Sequence, residues 1–353
     1  MGSGTRELGD GTLLVGDLGV AVQVKSRETP SSDPEKERRW LEKKAIEGLG
    51  QGNGSIRRLC LQPTELTNLR GASMRVDGKE YRWLVVVVLD HADPPDDVTP
   101  TLTGSKHPAV VLLRRDWDFL FDQLKSTNAV VRYLERVADE PAVLGSEPVR
   151  YHELALADHD ALPTRLDPQL VGNGTPIHSP VLPLLPAASD DRNAHGIVRT
   201  LFEDFATTLA ERMSIEDRLR VLAELDRLPV GERTGFGRFV LRAFQEVSTD
   251  DRGGILWRLR SIRGAAGHAH LGFGACSHPH DENIQAGFRT WVQLRHHDVL
   301  AATRDVDGLM TVGLLLTPSV RFRRPWDTTV VAVSGDFGFS EKELAAARRL
   351  WPG

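Results

Sequence analysis

The sequence predicts a mixed α/β or α+β fold, because two kinds of hydrophobic pattern alternate along the chain. Short apolar runs that are typical of strands, such as VAVQVKS and YRWLVVVVLDH, occur in the first part and return near the end. Between them lie stretches whose apolar residues recur at helical spacing, such as IEDRLRVLAELDRL. We find no internal repeat.

Length and composition limit the class of protein. The chain has 353 residues, a formal net charge of −5 and 40% hydrophobic residues, which is enough for two or three domains. No run approaches the roughly 18 apolar residues that cross a bilayer, and the N-terminus lacks the apolar core of a secretory signal. The two cysteines, Cys60 and Cys276, do not form a disulfide framework. We therefore expect a cytoplasmic protein with no membrane partner.

Composition divides the chain into four segments. Residues 1–140 are predicted to form an α/β domain, and residues 141–195, rich in Pro, Asp and Ser, an extended connector. Residues 196–250 are predicted to be helical, and residues 251–353 form a C-terminal α/β segment of unknown role. We expect that the first and last segments can share one sheet, and that apolar helical stripes in the third form core or a contact between copies of a homo-oligomer.

The first segment begins with two strands, GTLLVG and VAVQVKS, and continues with the predicted helix DPEKERRWLEKKAIEGLG. Asp33 is its expected N-cap, Pro34 suits the first helical position, and Gly48 or Gly50 is the expected stop. The glycine run GLGQGNGS follows a helix and lacks the Lys-Ser/Thr ending of a phosphate-binding loop. We interpret it as a helix stop and a flexible turn.

Three further strands are predicted in this segment: IRRLCLQ, YRWLVVVVLDH and PAVVLLRR. The continuous apolar run 84–89 favours a strand that is buried on both faces. One or two helices follow in DWDFLFDQLKSTNAVVRYLERVAD. Near the C-terminus, DGLMTVGLLLTP and TTVVAVSG are predicted strands, and SEKELAAARRLW is a predicted helix with Ser340 as its N-cap.

The first two strands are predicted to form a hairpin that separates polar from aliphatic side chains. A two-residue turn at residues 17–18 pairs residues whose numbers sum to 35. In that register the aliphatic residues share one face. On the other face Thr12 is expected opposite Gln23, and Asp10 opposite Lys25. The hairpin would therefore collect an acid, an amide and an amine on one side of the sheet.

Two interpretations of this cluster remain open. One is a solvated face with an Asp10–Lys25 ion pair, worth about 0.2–1 kcal/mol. The other is a metal-assisted phosphodiester site, in which Asp10 supplies an anionic oxygen to Mg²⁺ and Gln23 supplies a carbonyl ligand or orients water. Lys25 would then help to deprotonate or position that water and would offset charge developing on the phosphate.

Asp10, twelve intervening residues and the tripeptide QVK resemble the PD-(D/E)xK nuclease superfamily in its Mrr-like Gln-x-Lys form. The resemblance covers roughly residues 5–60. It implies a restriction-endonuclease-like mixed sheet flanked by helices, with an acid at the start of one strand and Gln-x-Lys on the next. Asp10, Gln23 and Lys25 match these positions, and the resemblance implies Mg²⁺ or Mn²⁺ held by Asp10 and Gln23. Glu7, in the stretch RELGD, would be an accessory acid.

The resemblance implies a metal-dependent nuclease that hydrolyses phosphodiester bonds of DNA or RNA, in bacterial defence or nucleic-acid processing. Gln23 in place of Glu removes one anionic ligand. The alternative is therefore a catalytically inactive nuclease-like domain that binds a protein or a nucleic acid.

A zinc hydrolase is a third, more distant hypothesis. The stretch GHAHLGFGACSHPHDENI concentrates residue types that zinc prefers, but it lacks the spacing of a tetrahedral site. We favour a polar loop with exposed histidines; the residues concerned are His268, His270, Cys276, His278 and His280.

Overall fold

The computed structural model of the chain describes residues 10–161, 182–184, 191–207, 214–249, 253–262, 270–302, 309–319, 324–336 and 338–351. These residues form two compact units, each of mixed α/β structure. The first contains residues 10–161 and 182–184 together with Asp226–Val230, and the second contains the others. Each unit has its own four-stranded sheet, so the expectation that the first and last segments share one sheet is wrong.

The first unit contains six strands and four helices among the described residues. They are β1 Gly11–Val15, β2 Leu18–Arg27, α1 Pro34–Leu61, β3 Thr64–Thr67, β4 Ser73–Val76, β5 Arg82–His91, β6 Ala109–Leu113, α2 Arg114–Leu124, α3 Thr127–Arg136 and α4 Glu147–Asp160. The main sheet has the order β1-β2-β5-β6, with β1 antiparallel and the other three strands parallel. Strands β3 and β4 form a separate hairpin.

Helices cover the main sheet on both faces. Alternate residues of β5, such as Val86 and Val88, pack in a core with α2, α3 and α4. The intervening residues, Val85 and Val87, pack in a second core with α1. The prediction that the run 84–89 is buried on both faces is therefore confirmed. Strand β2 lies between β1 and β5, so α1 covers one of its faces and the opposite helical layer covers the other.

Helix α1 begins where the sequence predicts and ends much later. Oδ1 of Asp33 accepts a hydrogen bond from the Glu35 amide at 3.0 Å, and Pro34 occupies the first turn, which confirms the predicted cap. The helix then continues through the glycine run to Leu61. The predicted stop at Gly48 or Gly50 is wrong, and IRRLCLQ is helical rather than a strand.

Close packing explains why the helix contains glycines. A Cβ at Gly48 would lie 2.7 Å from a methyl carbon of Val87, and a Cβ at Gly52 would lie 2.5 Å from one of Val85. These two positions are four residues apart and share one helix face. A Cβ at Gly50 or Gly54 would meet no atom within 4 Å. The glycines at 48 and 52 therefore seat the helix on the sheet, whereas those at 50 and 54 have no such packing role.

The hairpin register differs from the predicted one by two residues. The turn is at residues 16–17, and Leu13 pairs with Val20. Gly16 takes a φ of +58°, the left-handed value that tight hairpin turns require at their first central position, and Leu18 is buried in the strand instead of exposed in the turn. A shift of two residues preserves the alternation of faces. The predicted separation of polar and aliphatic faces is retained, although the predicted partners are wrong.

The predicted connector also requires a correction. Residues 147–160 of the segment 141–195 form α4, whose Tyr151 is fully buried in the core of the first unit. Most of the remaining connector lies outside the described residues.

Among its described residues, the second unit contains four strands, with three helices before them in sequence, one between the second and third strands and one after them. Its elements are α5 Arg192–Thr207, α6 Ile215–Asp226, α7 Val230–Ser248, β7 Trp257–Ile262, β8 His270–Cys276, α8 Glu282–Ala302, β9 Met310–Pro318, β10 Trp326–Ser334 and α9 Glu341–Leu350. The sheet order is β10-β9-β8-β7, with β8 parallel to β9 and both edge strands antiparallel. Ser340 caps α9, as predicted.

Both units follow the same chain path of hairpin, helix and parallel strand, with opposite packing. In the first unit the glycines are on the helix and the valines are on the strands. In the second unit the glycines are on the strands: a Cβ at Gly272 would lie 2.7 Å from the Trp291 ring, and one at Gly274 would lie 2.8 Å from Phe288. Both rings belong to α8. In each unit the helix therefore fits closely on the sheet. The large side chains are on the strands in the first unit and on the helix in the second.

Alanine substitutions along α1 separate the two kinds of glycine. We expect Gly48→Ala and Gly52→Ala to lower the free energy of unfolding by about 1–3 kcal/mol, because the new methyl group overpacks the valines. Gly50→Ala and Gly54→Ala are the matched controls and should raise it by about 0.5–1 kcal/mol, because alanine is the better helix former. Urea unfolding followed by circular dichroism measures all four. Equal effects at the four positions would contradict this packing.

Candidate functional site

Asp10 lies at the open end of the first hairpin, beside the Gln-x-Lys tripeptide. Its Oδ2 accepts a hydrogen bond from the backbone amide of Val24 at 2.6 Å. Val24 is the residue between Gln23 and Lys25, so the carboxylate lies against the middle of the tripeptide. Glu7 lies outside the described residues.

Gln23 is the most buried member of this group. It is only 3% exposed, and its Nε2 has no hydrogen-bond partner among the residues that the structure describes. Leaving a buried polar atom unpaired costs about 1–3 kcal/mol, so this atom is a position where a ligand or water would be stabilising. The amide also presents oxygen in place of nitrogen when it rotates by half a turn.

Lys25 is half-buried and is directed to α1. Its Nζ donates a hydrogen bond to Oε1 of Gln51 at 2.5 Å. Among the ion pairs of the described residues there is none between Lys25 and Asp10, and the register places Asp10 level with Gln23. The expected Asp10–Lys25 opposition is therefore wrong: the acid contacts the backbone of β2, and the ammonium contacts the helix.

Glu47 adds an acid on the same side of α1. It precedes Gln51 by four residues, which places both side chains on one helix face. Nζ of Lys44 donates a hydrogen bond to Glu47 Oε2 at 2.7 Å. That bond lowers the pKa of the Glu47 carboxyl, and the nearby charge of Lys25 acts in the same direction. The cluster therefore contains a second carboxylate that stays ionised.

Sequence reasoning missed Gln51 as a site residue because it ended the helix at Gly48 or Gly50; Glu47 lay inside the predicted helix, but without the position of Gln51 opposite Lys25 nothing linked it to the site. The available signal was the spacing of Gly48 and Gly52, which is one helical turn. Two glycines at that spacing indicate a helix that packs closely on a sheet, and the continued helix places Gln51 opposite Lys25.

A second polar cluster joins the start of α1 to the carboxyl ends of β2 and β5. Glu37 is buried and accepts hydrogen bonds from Arg27 Nη2 at 2.8 Å and Nε at 3.0 Å. It also accepts one from the Ser31 amide at 2.9 Å and lies 2.8 Å from His91 Nε2. Nδ1 of His91 accepts from the Asp93 amide, which assigns the proton to Nε2 as a donor to Glu37.

The charge of this cluster is fixed by its hydrogen bonds. The bond from Arg27, followed by those from His91 and the Ser31 amide, lowers the pKa of Glu37 to about 2. The Arg27 guanidinium also lies 5.5 Å from the centre of the Trp40 ring. Every oxygen of Glu37 has a partner, so we interpret this cluster as a lock that holds α1 to the sheet.

The residues of the zinc hypothesis do not come together among the described residues. No group of three or more His, Cys, Asp or Glu side chains there is placed to hold a metal ion. Cys276 is buried at the end of β8, and His270 is 9% exposed in the same strand, so neither belongs to the exposed loop that we expected. His278 and His280 are exposed, and His268 lies outside the described residues.

The described helices include none that combines the length and the apolar character needed to cross a bilayer.

Comparison with family models, with curated proteins and with solved structures gives no match to this chain.

Protonation of Glu37 should weaken the first unit. Because its pKa is lowered on folding from an ordinary value of 4.5, its stabilising contribution is complete above about pH 5 and is lost as the pH falls towards 2. We expect Glu37→Gln to be less stable than the parent at pH 7 and the difference to shrink by pH 3. Thermal unfolding across this range measures it. Glu35→Gln, an exposed position on the same helix, is the control, and a gap that stays constant with pH would contradict the assignment.

Proposed function

We propose that the first unit is a metal-dependent nuclease whose site consists of Asp10, Gln23 and Lys25 with Glu47 and Gln51 of α1. The observation that carries the proposal is the bond from the Val24 amide to Asp10. It brings a carboxylate against the tripeptide whose two outer side chains are a buried amide and an ammonium group. The substrate class is the phosphodiester bond of DNA or RNA, and the protein is proposed to act in the cytoplasm.

The side chains fit a hard divalent cation. One oxygen of Asp10 bonds the Val24 amide, which leaves the other for a metal ion. The unpaired amide of Gln23 offers a carbonyl oxygen after rotation. Mg²⁺ and Mn²⁺ prefer such oxygen ligands, so Asp10 and Gln23 would hold the ion. When bound, it would lower the pKa of a coordinated water and offset charge on the phosphate.

Lys25 has the role of positioning and charge compensation. A hydrogen bond to Gln51 orients its ammonium group. The Lys25 side chain therefore has less conformational freedom than that of an exposed lysine. A fixed positive charge in a partly buried place stabilises negative charge that develops on a phosphate. Gln51 acts through Lys25 and is therefore a positioning residue.

The fold around these residues supports the proposal. The resemblance implies an acid before one strand, Gln-x-Lys on the next and then a helix packed on the sheet. Strands β1 and β2 and helix α1 follow this order, and α1 covers the face that carries Gln23 and Lys25. A restriction-endonuclease-like arrangement of the whole unit is part of the proposal.

One observation favours the alternative, a nuclease-like domain that only binds. Among the residues that the structure describes, Asp10 is the one carboxylate that accepts a hydrogen bond from the tripeptide, and Glu47 accepts one from Lys44. A site with one acid binds Mg²⁺ more weakly than a site with two. Binding of nucleic acid that is insensitive to metal and to Asp10→Asn, without cleavage, would support this alternative.

Cleavage assays test the enzyme. The full chain should cut plasmid DNA, linear duplex, single-stranded DNA or RNA in Mg²⁺ or Mn²⁺ and not in EDTA. Lys25→Met and Asp10→Asn should each reduce the rate about 100-fold or more, because each removes a group that acts on the reacting phosphate or its water. Gel-based rates measure the effect.

The matched control is Lys36→Met, an exposed lysine in the first turn of α1, which should leave the rate unchanged. Cleavage that survives Lys25→Met at full rate would place the activity elsewhere. An absence of cleavage on all four substrates would leave the binding alternative.

Gln51→Ala tests the positioning role. We expect a rate loss of about tenfold, smaller than that of Lys25→Met, because the ammonium remains but loses its fixed orientation. In the Lys25→Met background the same substitution should have no further effect, since its only route is through Lys25. Additive losses in the double variant would contradict this route.

A further inference from the structure

Strand β10 forms one edge of the sheet in the second unit, and half of its backbone groups face away from β9. The ladder shows which half. The Ser319 amide donates to the Pro325 carbonyl at 3.0 Å, in line with the register of the two strands. Because an antiparallel ladder bonds alternate residues, the odd-numbered residues of β10 bond β9. The even-numbered residues therefore direct their amide and carbonyl groups to the outer edge.

These outward groups have few partners. The Thr328 amide donates to Oδ1 of the preceding Asp327 at 2.8 Å. In the part of the chain that the structure describes, the outward amides and carbonyls of Val330 and Ala332 have no hydrogen-bond partner. Ala332 and Ser334 are also exposed to solvent. The backbone of this strand can therefore bond a further strand.

Helices α5 and α8 pack on the two faces of β10. On one face the Thr328 hydroxyl donates to Asp204 of α5 at 3.0 Å, and the Trp326 indole does so at 3.4 Å. On the other face Val331 lies in a core with residues of α8. The side chains of β10 are thus held within its own unit, and its backbone edge is the part that a partner would contact.

Of the edge strands that the structure describes, β10 is the longest. It has nine residues, whereas β1 and β6 have five each and β7 has six. Proteins protect sheet edges with short strands, charged side chains or covering segments. Ala109 of β6 exchanges hydrogen bonds with Asp139, and β7 carries Arg258 and Arg260. The one charged residue of β10 is Asp327, near its start, so this edge is the least protected of the four.

We infer that β10 pairs antiparallel with β10 of a second copy of this chain, so that two four-stranded sheets become one continuous sheet. A two-fold axis at Val330 matches all nine residues of the strand. Val330 then lies opposite Val330 of the second copy, and Thr328 lies opposite its Ala332. These are outward residues on both strands, as the ladder requires. On pairing, the Thr328 amide exchanges its bond to Asp327 for one to the Ala332 carbonyl.

The side chains favour this antiparallel arrangement. Thr329 faces Val331 of the second copy, which is a pair of β-branched residues of the kind that stabilises neighbouring strands. The two Asp327 carboxylates lie at opposite ends, and each faces Val333. In a parallel pairing in register they would be neighbours and would repel each other. The two-fold arrangement also closes with two copies, and it does not depend on the proposed nuclease function.

Analytical ultracentrifugation of the full chain tests the inference. The chain should sediment as a dimer at about 100 µM. A monomer at that concentration overturns the self-pairing, including the case in which a strand of another protein binds this edge.

An exchange of charge at the two-fold axis locates the interface. Val330→Lys and Val330→Glu each place two like charges opposite each other, so each should weaken the dimer at least about tenfold. An equimolar mixture of the two variants should restore the dimer, because unlike charges then face each other across the axis. A dimer of parental strength in each variant alone, or a mixture that stays monomeric, overturns the pairing about Val330.

Two substitutions of Ala332 decide if a Val330 variant fails to fold. Ala332→Pro removes an amide that the ladder with β9 does not use, so it should leave the circular dichroism spectrum intact and weaken the dimer at least about tenfold. Ala332→Lys is the matched control. Its lysine faces Thr328 of the second copy rather than another lysine, so the dimer should persist within about threefold. Equal effects of the two substitutions overturn the inference.

Discussion

The close seating of α1 on strands β2 and β5 is the constraint on which the first unit depends. It rests on Gly48 and Gly52, whose missing side chains admit the methyl groups of Val87 and Val85. With a larger residue at either position the helix axis would have to move outward. The same helix carries Glu37 into its lock with Arg27 and brings Gln51 within hydrogen-bond distance of Lys25. Stability and the candidate site thus depend on one interface.

This interface also explains why one polar group of the candidate site is held in place while another has an unused hydrogen-bonding atom. The Lys25 ammonium is held by a side chain that only a continuous helix can supply. Gln23, two residues earlier on the same face of β2, is buried with an unpaired amide nitrogen. One group is thus fixed while its neighbour retains unused bonding capacity, an arrangement more typical of a site that receives a ligand than of a structural network.

Much of the architecture was predictable because local signals agreed with the tertiary environment. The cap at Asp33, the cap at Ser340 and the doubly buried β5 each follow from residues next to them in sequence. The predicted helix stop in the glycine run was wrong. Packing against valines that lie more than 30 residues away overrides the preference of glycine for turns.

The predicted hairpin register and the predicted opposition of Asp10 and Lys25 were wrong for related reasons. The register depends on which of two adjacent positions takes the positive φ, and the burial of Leu18 decides this through contacts outside the hairpin. The hydrophobic alternation fixes the faces but not the partner of Asp10. The contact between Gln51 and Lys25 could not be predicted from the sequence. It spans 26 residues and requires the part of α1 that lies beyond the predicted helix stop.

The opposite distribution of bulk in the two units has a consequence for how each can change over time. In the first unit the helix positions at the interface tolerate only glycine, while the facing strand residues can vary among aliphatic side chains of similar volume. In the second unit the constrained positions are on the strand, because the aromatic rings of α8 occupy the space that a Cβ at Gly272 or Gly274 would need. A substitution that adds bulk would therefore be costly on the helix of the first unit and on the strands of the second, so the two interfaces restrict sequence change on opposite elements.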